Sequence, residues 1–232
     1  IWLTEKKYAR ETIRTRRSGI LSIWNSLDEV PPPRKVRRLA PHRSVPRAWT
    51  PAQVAAILAE CGKLTGTFRR FPHIERAKFA AAIAMVCYET GFRRGDVLRI
   101  HRHQIQPCGL IVLIQSKTGQ PHLARIRPET IRLIDSMGTA GRPHVFGGVV
   151  SPRWLGKLLA RVCKAAGIQE GSVKWLRRSG ATHAEKAAPG SGYRYLGHTT
   201  PQVAWQSYLD PLQLNSETVQ PPALPPPDQK AG

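Results

Sequence analysis

Apolar residues recur along this chain at two spacings, and each spacing predicts a kind of element. Ile13, Ile20, Leu21, Trp24 and Leu27 share one face at helical period, which predicts a helix over 5–29. Pro31-Pro32-Pro33 ends it, since proline removes a backbone donor and restricts the residue before it. Order resumes at Trp49-Thr50-Pro51, with Thr50 as N-cap, Pro51 at the first helical position and Val54, Ile57 and Leu58 facing inward. Residues 62–72 read as a loop carrying the basic pair Arg69-Arg70. Ala80, Ala81, Ile83, Ala84, Val86 and Cys87 leave little polar surface on a helix over 74–90, so that helix belongs at the centre of a core, and Gly91 caps it. Leu110-Ile111-Val112-Leu113-Ile114 and His122-Leu123-Ala124-Arg125-Ile126 are strands on either side of a bend at Ser116-Lys117-Thr118-Gly119-Gln120. Helices follow at 128–137, 151–166, 175–187 and 201–208. The fold class expected is mainly α with a small antiparallel β-hairpin or sheet (α+β).

The 41% hydrophobic content suits a packed core, but the charge is unusual. Thirty-six Lys and Arg face fifteen Asp and Glu, a net charge of +21, which points to a polyanionic partner. Nucleic acid is the first reading, and a basic ribosomal-type or membrane-surface protein the second. No apolar run reaches the roughly 18 residues that a membrane span needs, and no signal peptide is visible. Cys61, Cys87, Cys108 and Cys163 match no zinc or redox spacing and read as buried thiols in a reducing cytosol. Arg10, Arg14 and Arg17 form a basic stripe that is either a solvated face or a line of phosphate contacts. Arg34, Lys35, Arg37 and Arg38 follow the triple proline in a linker able to lie along a phosphate backbone. From Pro211 the chain is proline-rich with few large apolar residues, a composition that predicts disorder.

Chemistry concentrates in the last third of the chain. Lys174, Arg177, Arg178, His183, His198 and Tyr208 bring cations, imidazoles and a phenol together. A tyrosine among arginines can attack a phosphodiester, because the cations neutralise the anion that it approaches. Arg93 and Arg94 end the apolar helix, and an arginine entering a core costs several kcal/mol unless paired, so Asp96 is expected to hold Arg93 at i, i+3. Arg177 and Arg178 point roughly 100° apart on a helix, so one of the two faces a phosphate.

The order of these pieces resembles the tyrosine recombinase (phage integrase) family. Thr90-Gly91-Phe92-Arg93-Arg94-Gly95-Asp96 resembles its first arginine box, and Lys117 before Thr118-Gly119 its hairpin lysine. Lys174-x-x-Arg177 before Ala181-Thr182-His183 resembles its His-x-x-Arg box, Leu196-Gly197-His198 its Leu-Gly-His box, and Tyr208 stands where its nucleophile should be. The sequence departs from the pattern at two places. Lys174 replaces the usual histidine, and His198 and Tyr208 are ten residues apart, one more than the commonest spacing.

The resemblance covers roughly residues 49–210 and implies a catalytic domain there. Residues 1–30 would be the last helix of a truncated core-binding domain, 31–48 a basic linker and 211–232 a tail. The reaction implied is site-specific cleavage and rejoining of double-stranded DNA through a 3′-phosphotyrosine. It uses neither metal nor ATP, in a homotetramer assembled on DNA in the bacterial cytoplasm. Arg93 and Arg177 would clamp the phosphate, Lys117 would protonate the leaving oxygen and Lys174 would assist proton transfer or add charge. His198 would bind a phosphate oxygen or position Tyr208, and Asp96 would support Arg93. Tyr193 and Tyr195 are the rival nucleophiles. A type IB topoisomerase and a catalytically inactive DNA-binding relic are the alternative readings of the whole.

Overall fold

The computed structural model describes residues 10–27, 31, 45–139, 141–169 and 171–214. The chain divides into two compact units, 1–44 and 45–232. The first contains helix α1, Arg10–Trp24, which ends before the residue 29 expected, since 25–27 are not helical; residues 5–9 lie outside the described residues. Ile20, Ile23 and Leu27 are exposed, and Trp24 Nε1 donates to the Pro31 carbonyl at 2.9 Å. Arg14 is exposed and Arg17 partly so, while Arg34, Lys35, Arg37 and Arg38 lie outside the described residues.

The second unit is mostly helical, with two small antiparallel strand pairs. Helix α2, Pro51–Gly62, starts with the capping box that its sequence implies: Thr50 Oγ1 accepts from Gln53 N, and Gln53 Oε1 accepts from Thr50 N. The stretch read as a loop forms a hairpin instead, β1 (Thr67–Phe68) against β2 (Phe71–Glu75), with exposed Arg69 and Arg70 at its turn. Phe68 is the reason: its ring is buried edge-on against Phe79, 5.1 Å away. Helix α3, Arg76–Thr90, is central as expected, with Phe79, Ala80, Ala82, Ile83, Ala84, Val86 and Cys87 all buried. The short helix α4, Arg94–Val97, follows it. Strands β3 (Leu110–Ile114) and β4 (Pro121–Arg125) pair in register, Val112 opposite Leu123.

Helices α5 (Pro128–Asp135) and α6 (Pro152–Ala165) complete the wall around α3, and α7 (Val173–Ala187) packs along it. The main core gathers Trp49, Phe79, Phe92, Phe146 and Leu176. A second, smaller cluster of Ala181, Leu196, Ala204 and Leu209 fastens the remaining elements to α7. These are α8 (Gly192–Tyr195), α9 (Pro201–Ser207) and α10 (Pro211–Leu214). Helix α10 corrects the expectation of disorder from Pro211 for its four residues; 215–232 lie outside the described residues. The buried Asp210 supports it by accepting from Leu212 N at 3.1 Å and Ala48 N at 2.9 Å.

Candidate active site

Four separate segments meet at one pocket of about 400 Å³, lined by Phe92, Arg93, Arg94, Lys117, Lys174, Arg177 and Tyr208 among others. Helix α3 ends at Gly91, whose φ of 61° only glycine adopts without strain. The reversal places Arg93 at the N-cap of α4, with extended backbone angles of −68° and 149°. The Gly91 carbonyl in turn accepts from Arg177 Nη1. Lys117 projects from the exposed β3–β4 bend, Lys174 and Arg177 lie one turn apart on α7, and Tyr208 closes α9.

Arg177 is almost wholly buried, at 3% exposure. Its Nη2 donates to the Leu196 carbonyl at 2.9 Å and lies 3.4 Å from His198 Nε2. Burial lowers its pKa to about 10, with the Arg93 cation adding to the effect and Tyr208 opposing it. Arg178 turns the other way, and its Nε donates to the Ser207 carbonyl at 3.0 Å, anchoring the end of α9. Of the two consecutive arginines, Arg177 is therefore the one at the pocket.

The Tyr208 ring lies close to two cations: Arg177 Cζ is 5.1 Å and Lys174 Nζ 5.4 Å from its centroid. The His198 ring sits edge-on to it, 5.2 Å away at 69°. Burial, with the charges of Arg177 and Arg93, lowers the His198 pKa to about 4. His198 is thus a neutral imidazole near pH 7. A guanidinium can only donate, so Nε2 accepts and the proton sits on Nδ1, which has no partner among the described residues. Burial lowers the Lys174 pKa, reinforced by the cations Arg178, Lys117 and Arg177 and opposed by Tyr208.

The expected pairing of Asp96 with Arg93 is not formed. Asp96 Oδ1 accepts from Ser116 N at 3.0 Å, Ser116 Oγ at 2.7 Å and Arg99 Nη2 at 2.9 Å. The i, i+3 rule applies inside a helix, and Arg93 stands at the cap, outside it. Burial pulls the Asp96 pKa up, but the hydrogen bonds from Ser116 and Arg99 outweigh it and hold the carboxyl below its usual range. Arg93 instead donates through Nη1 to Gln115 Oε1.

Sequence reasoning passed over Gln115, Ser116 and His122. Gln115 and His122 continue the inward-facing alternation of Ile111 and Leu113, and both are buried. A polar residue at an apolar register position was the available signal. His122 Nε2 donates to the Tyr195 carbonyl at 3.0 Å. Of the rival tyrosines, Tyr195 is committed elsewhere: its hydroxyl donates to the Tyr88 carbonyl and burial raises its pKa. Tyr193 Oη accepts from the neighbouring Arg194 Nε at 3.2 Å. His183 packs α7 against α3 through a 2.8 Å contact between Nδ1 and Tyr88 Oη. No helix among the described residues is long and apolar enough to cross a membrane.

Solved structures with the same arrangement of elements decide the fold. A λ integrase dimer bound to a COC′ core site superposes with a TM-score of 0.69 at 17% identity, over 94% of this chain and 64% of that one. XerH recombinase bound to difH substrate gives 0.67 at 14% identity, over 87% of this chain and 63% of that one. The chain has the tyrosine recombinase catalytic-domain fold. The Tn1549 transposon integrase, in complex with circular intermediate DNA, gives 0.62 at 12% identity, over 93% of this chain and 78% of that one. This chain thus spans less than two thirds of the λ integrase and XerH chains. No family model matches the sequence, and no curated relative does. Within this fold the β3–β4 bend, the segment after Gly91, α7 and the end of α9 converge on one pocket.

Proposed function

We propose that this chain is a site-specific DNA recombinase that cleaves and rejoins duplex DNA through Tyr208. The observation that carries this reading is the placement of the Tyr208 ring beside Arg177 and Lys174, on a pocket also lined by Arg93 and Lys117. The net charge of +21 suits a polyanionic substrate, and the structural neighbours include integrases and a recombinase bound to DNA.

In this mechanism Tyr208 Oη attacks phosphorus, the P–O5′ bond breaks, and the products are a 3′-phosphotyrosine and a 5′-hydroxyl. A 5′-hydroxyl from another strand end then attacks the phosphotyrosine and restores a phosphodiester. Arg93 and Arg177 hold the non-bridging oxygens, where negative charge grows in the transition state. Lys117, on an exposed bend, donates the proton to the departing O5′. Lys174 lies over the phenol ring with its pKa lowered, which suits it to take part in proton transfer there. His198, edge-on to the Tyr208 ring, positions the phenol. Asp96 supports the site through Ser116, next to Lys117. Exchange of strands between two duplexes calls for four active chains, hence a homotetramer on DNA.

The test uses nicked duplexes from a random-sequence pool, on which a short 5′ fragment is lost after cleavage. The unmutated chain should form an adduct that survives denaturing electrophoresis. Tyr208→Phe should bind the same duplexes and form none. An adduct that persists in Tyr208→Phe would assign the attack to another tyrosine, and no adduct from the unmutated chain would favour a DNA-binding role without catalysis.

A further inference from the structure

Gln115 joins the Arg93 reversal, the Lys117 bend and the loop before His198. It is 1% exposed, just beyond the end of β3. Its Oε1 accepts from Arg93 Nη1 and, at 3.3 Å, from Thr118 Oγ1 on the Lys117 bend. Its Nε2 donates to the Gly197 carbonyl at 3.0 Å. Its main chain completes the bend, with Gly119 N donating to its carbonyl at 2.9 Å.

The chemistry of each partner dictates which way the amide lies. A guanidinium offers only donors, so the amide oxygen must face Arg93. The nitrogen is then directed at a carbonyl, which only accepts. No other uncharged side chain of this length supplies both groups. The space is also closed. A Cβ on Gly197 would sit 2.5 Å from Gln115 Nε2 and 2.6 Å from His122 Cγ, so the loop before His198 lies directly on these two side chains.

We propose that Gln115 is a positioning residue for the phosphate clamp. It fixes the Arg93 fork, its own amide held in turn by the Gly197 carbonyl. The inference rests on the strand-cleavage reading above. Arg93, at the mouth of a four-residue helix with Asp96 engaged elsewhere, takes its orientation from Gln115. Misplacing such a group by about 1 Å costs on the order of 10²-fold in the chemical step while leaving substrate affinity alone.

The experiment is a double-mutant cycle on single-turnover cleavage of a nicked duplex that the unmutated chain cleaves. Gln115→Met keeps the volume and removes all three side-chain hydrogen bonds. It should slow cleavage by roughly 10- to 100-fold at saturating DNA, with the duplex Kd unchanged. In an Arg93→Lys background, where the charge remains but the fork is gone, the same change should cost less than about threefold. Equal losses in the two backgrounds would overturn the proposal, since Gln115 would then act independently of Arg93. So would a Gln115→Met chain as fast as the unmutated one. Should Gln115→Met not fold, Gln115→Glu replaces it in the cycle. Its added charge should slow cleavage by offsetting the Arg93 cation, and the loss should shrink in an Arg93→Gln background, where that cation is absent. A loss that persists there, or no loss, overturns the proposal. If the unmutated chain cleaves nothing, the strand-cleavage reading itself has failed, a result distinct from every outcome of the cycle.

Discussion

Lys117 has the narrowest task in the proposed reaction, so it permits the narrowest test. A leaving group that needs no proton should make it dispensable. A 5′-bridging phosphorothiolate supplies one, because a thiolate is stable near neutral pH. Lys117→Ala should cleave ordinary DNA slower by roughly 10²-fold, and the sulfur-substituted strand at close to the unmutated rate. Arg177→Ala should gain nothing from sulfur, since the non-bridging oxygens are unchanged; rescue of Lys174→Ala instead would move the acid to Lys174. His122 yields a pH prediction. Burial, with the cations Arg177 and Arg93, lowers its folded pKa from 6.5 to about 4. Between those values the unfolded chain binds the extra proton, so His122 favours unfolding as pH falls through that window. Full loss is on the order of 3 kcal/mol for a shift of this size. Chemical denaturation at pH 7 and pH 4.5 should show a smaller drop in stability for His122→Gln than for the unmutated chain; parallel drops would count against it.

At the scale of elements, the Gly91 reversal joins fold to chemistry. A methyl group there would meet a φ of 61° and the Tyr195 ring 2.5 Å away, on the residue whose carbonyl holds Arg177. Gly91→Ala should therefore lower unfolding stability by more than about 1 kcal/mol in urea titration, and an unchanged midpoint would contradict this. Much of this scale was legible in the sequence. The β3–β4 hairpin was visible because Leu110 to Ile114 is β-rich and Ser116 to Gln120 is turn-like. Helix α2 was visible because its cap is local. The β1–β2 pair was not, because two residues of Thr67–Phe68 carry no period and pairing is stabilised by a distant ring, Phe79. The partner of Arg93 was illegible for the same reason. Spacing proposed Asp96, three residues on, whereas Gln115 is reached only when two elements far apart in sequence come together. Local rules named the candidate residues, and only packing could say which groups hold them.

Across the whole molecule, charge is the dominant quantity. If Arg10, Arg14, Arg17, Arg34, Lys35, Arg37 and Arg38 bind phosphates, neutralising them should weaken binding to all sequences alike. The log–log salt slope should then fall by about 0.9 for each phosphate left without its cation, measured by fluorescence anisotropy from low to moderate salt. A weakening confined to one DNA sequence would instead place them on bases. The second unit also has a mechanical property that follows from its seams. Its chain enters at Ala48 and Trp49, and both residues are tied straight to the catalytic end. Ala48 N donates to Asp210, two residues past Tyr208, and Trp49 N donates to Ser179 Oγ at 2.8 Å, two residues past Arg177. Gln213 Nε2 returns the grip on the Ala48 carbonyl at 2.8 Å. Three hydrogen bonds thus fasten the first residues of this unit to the immediate neighbours of the phenol and the guanidinium, so a pull on Ala48 or Trp49 bears directly on Asp210, Gln213 and Ser179.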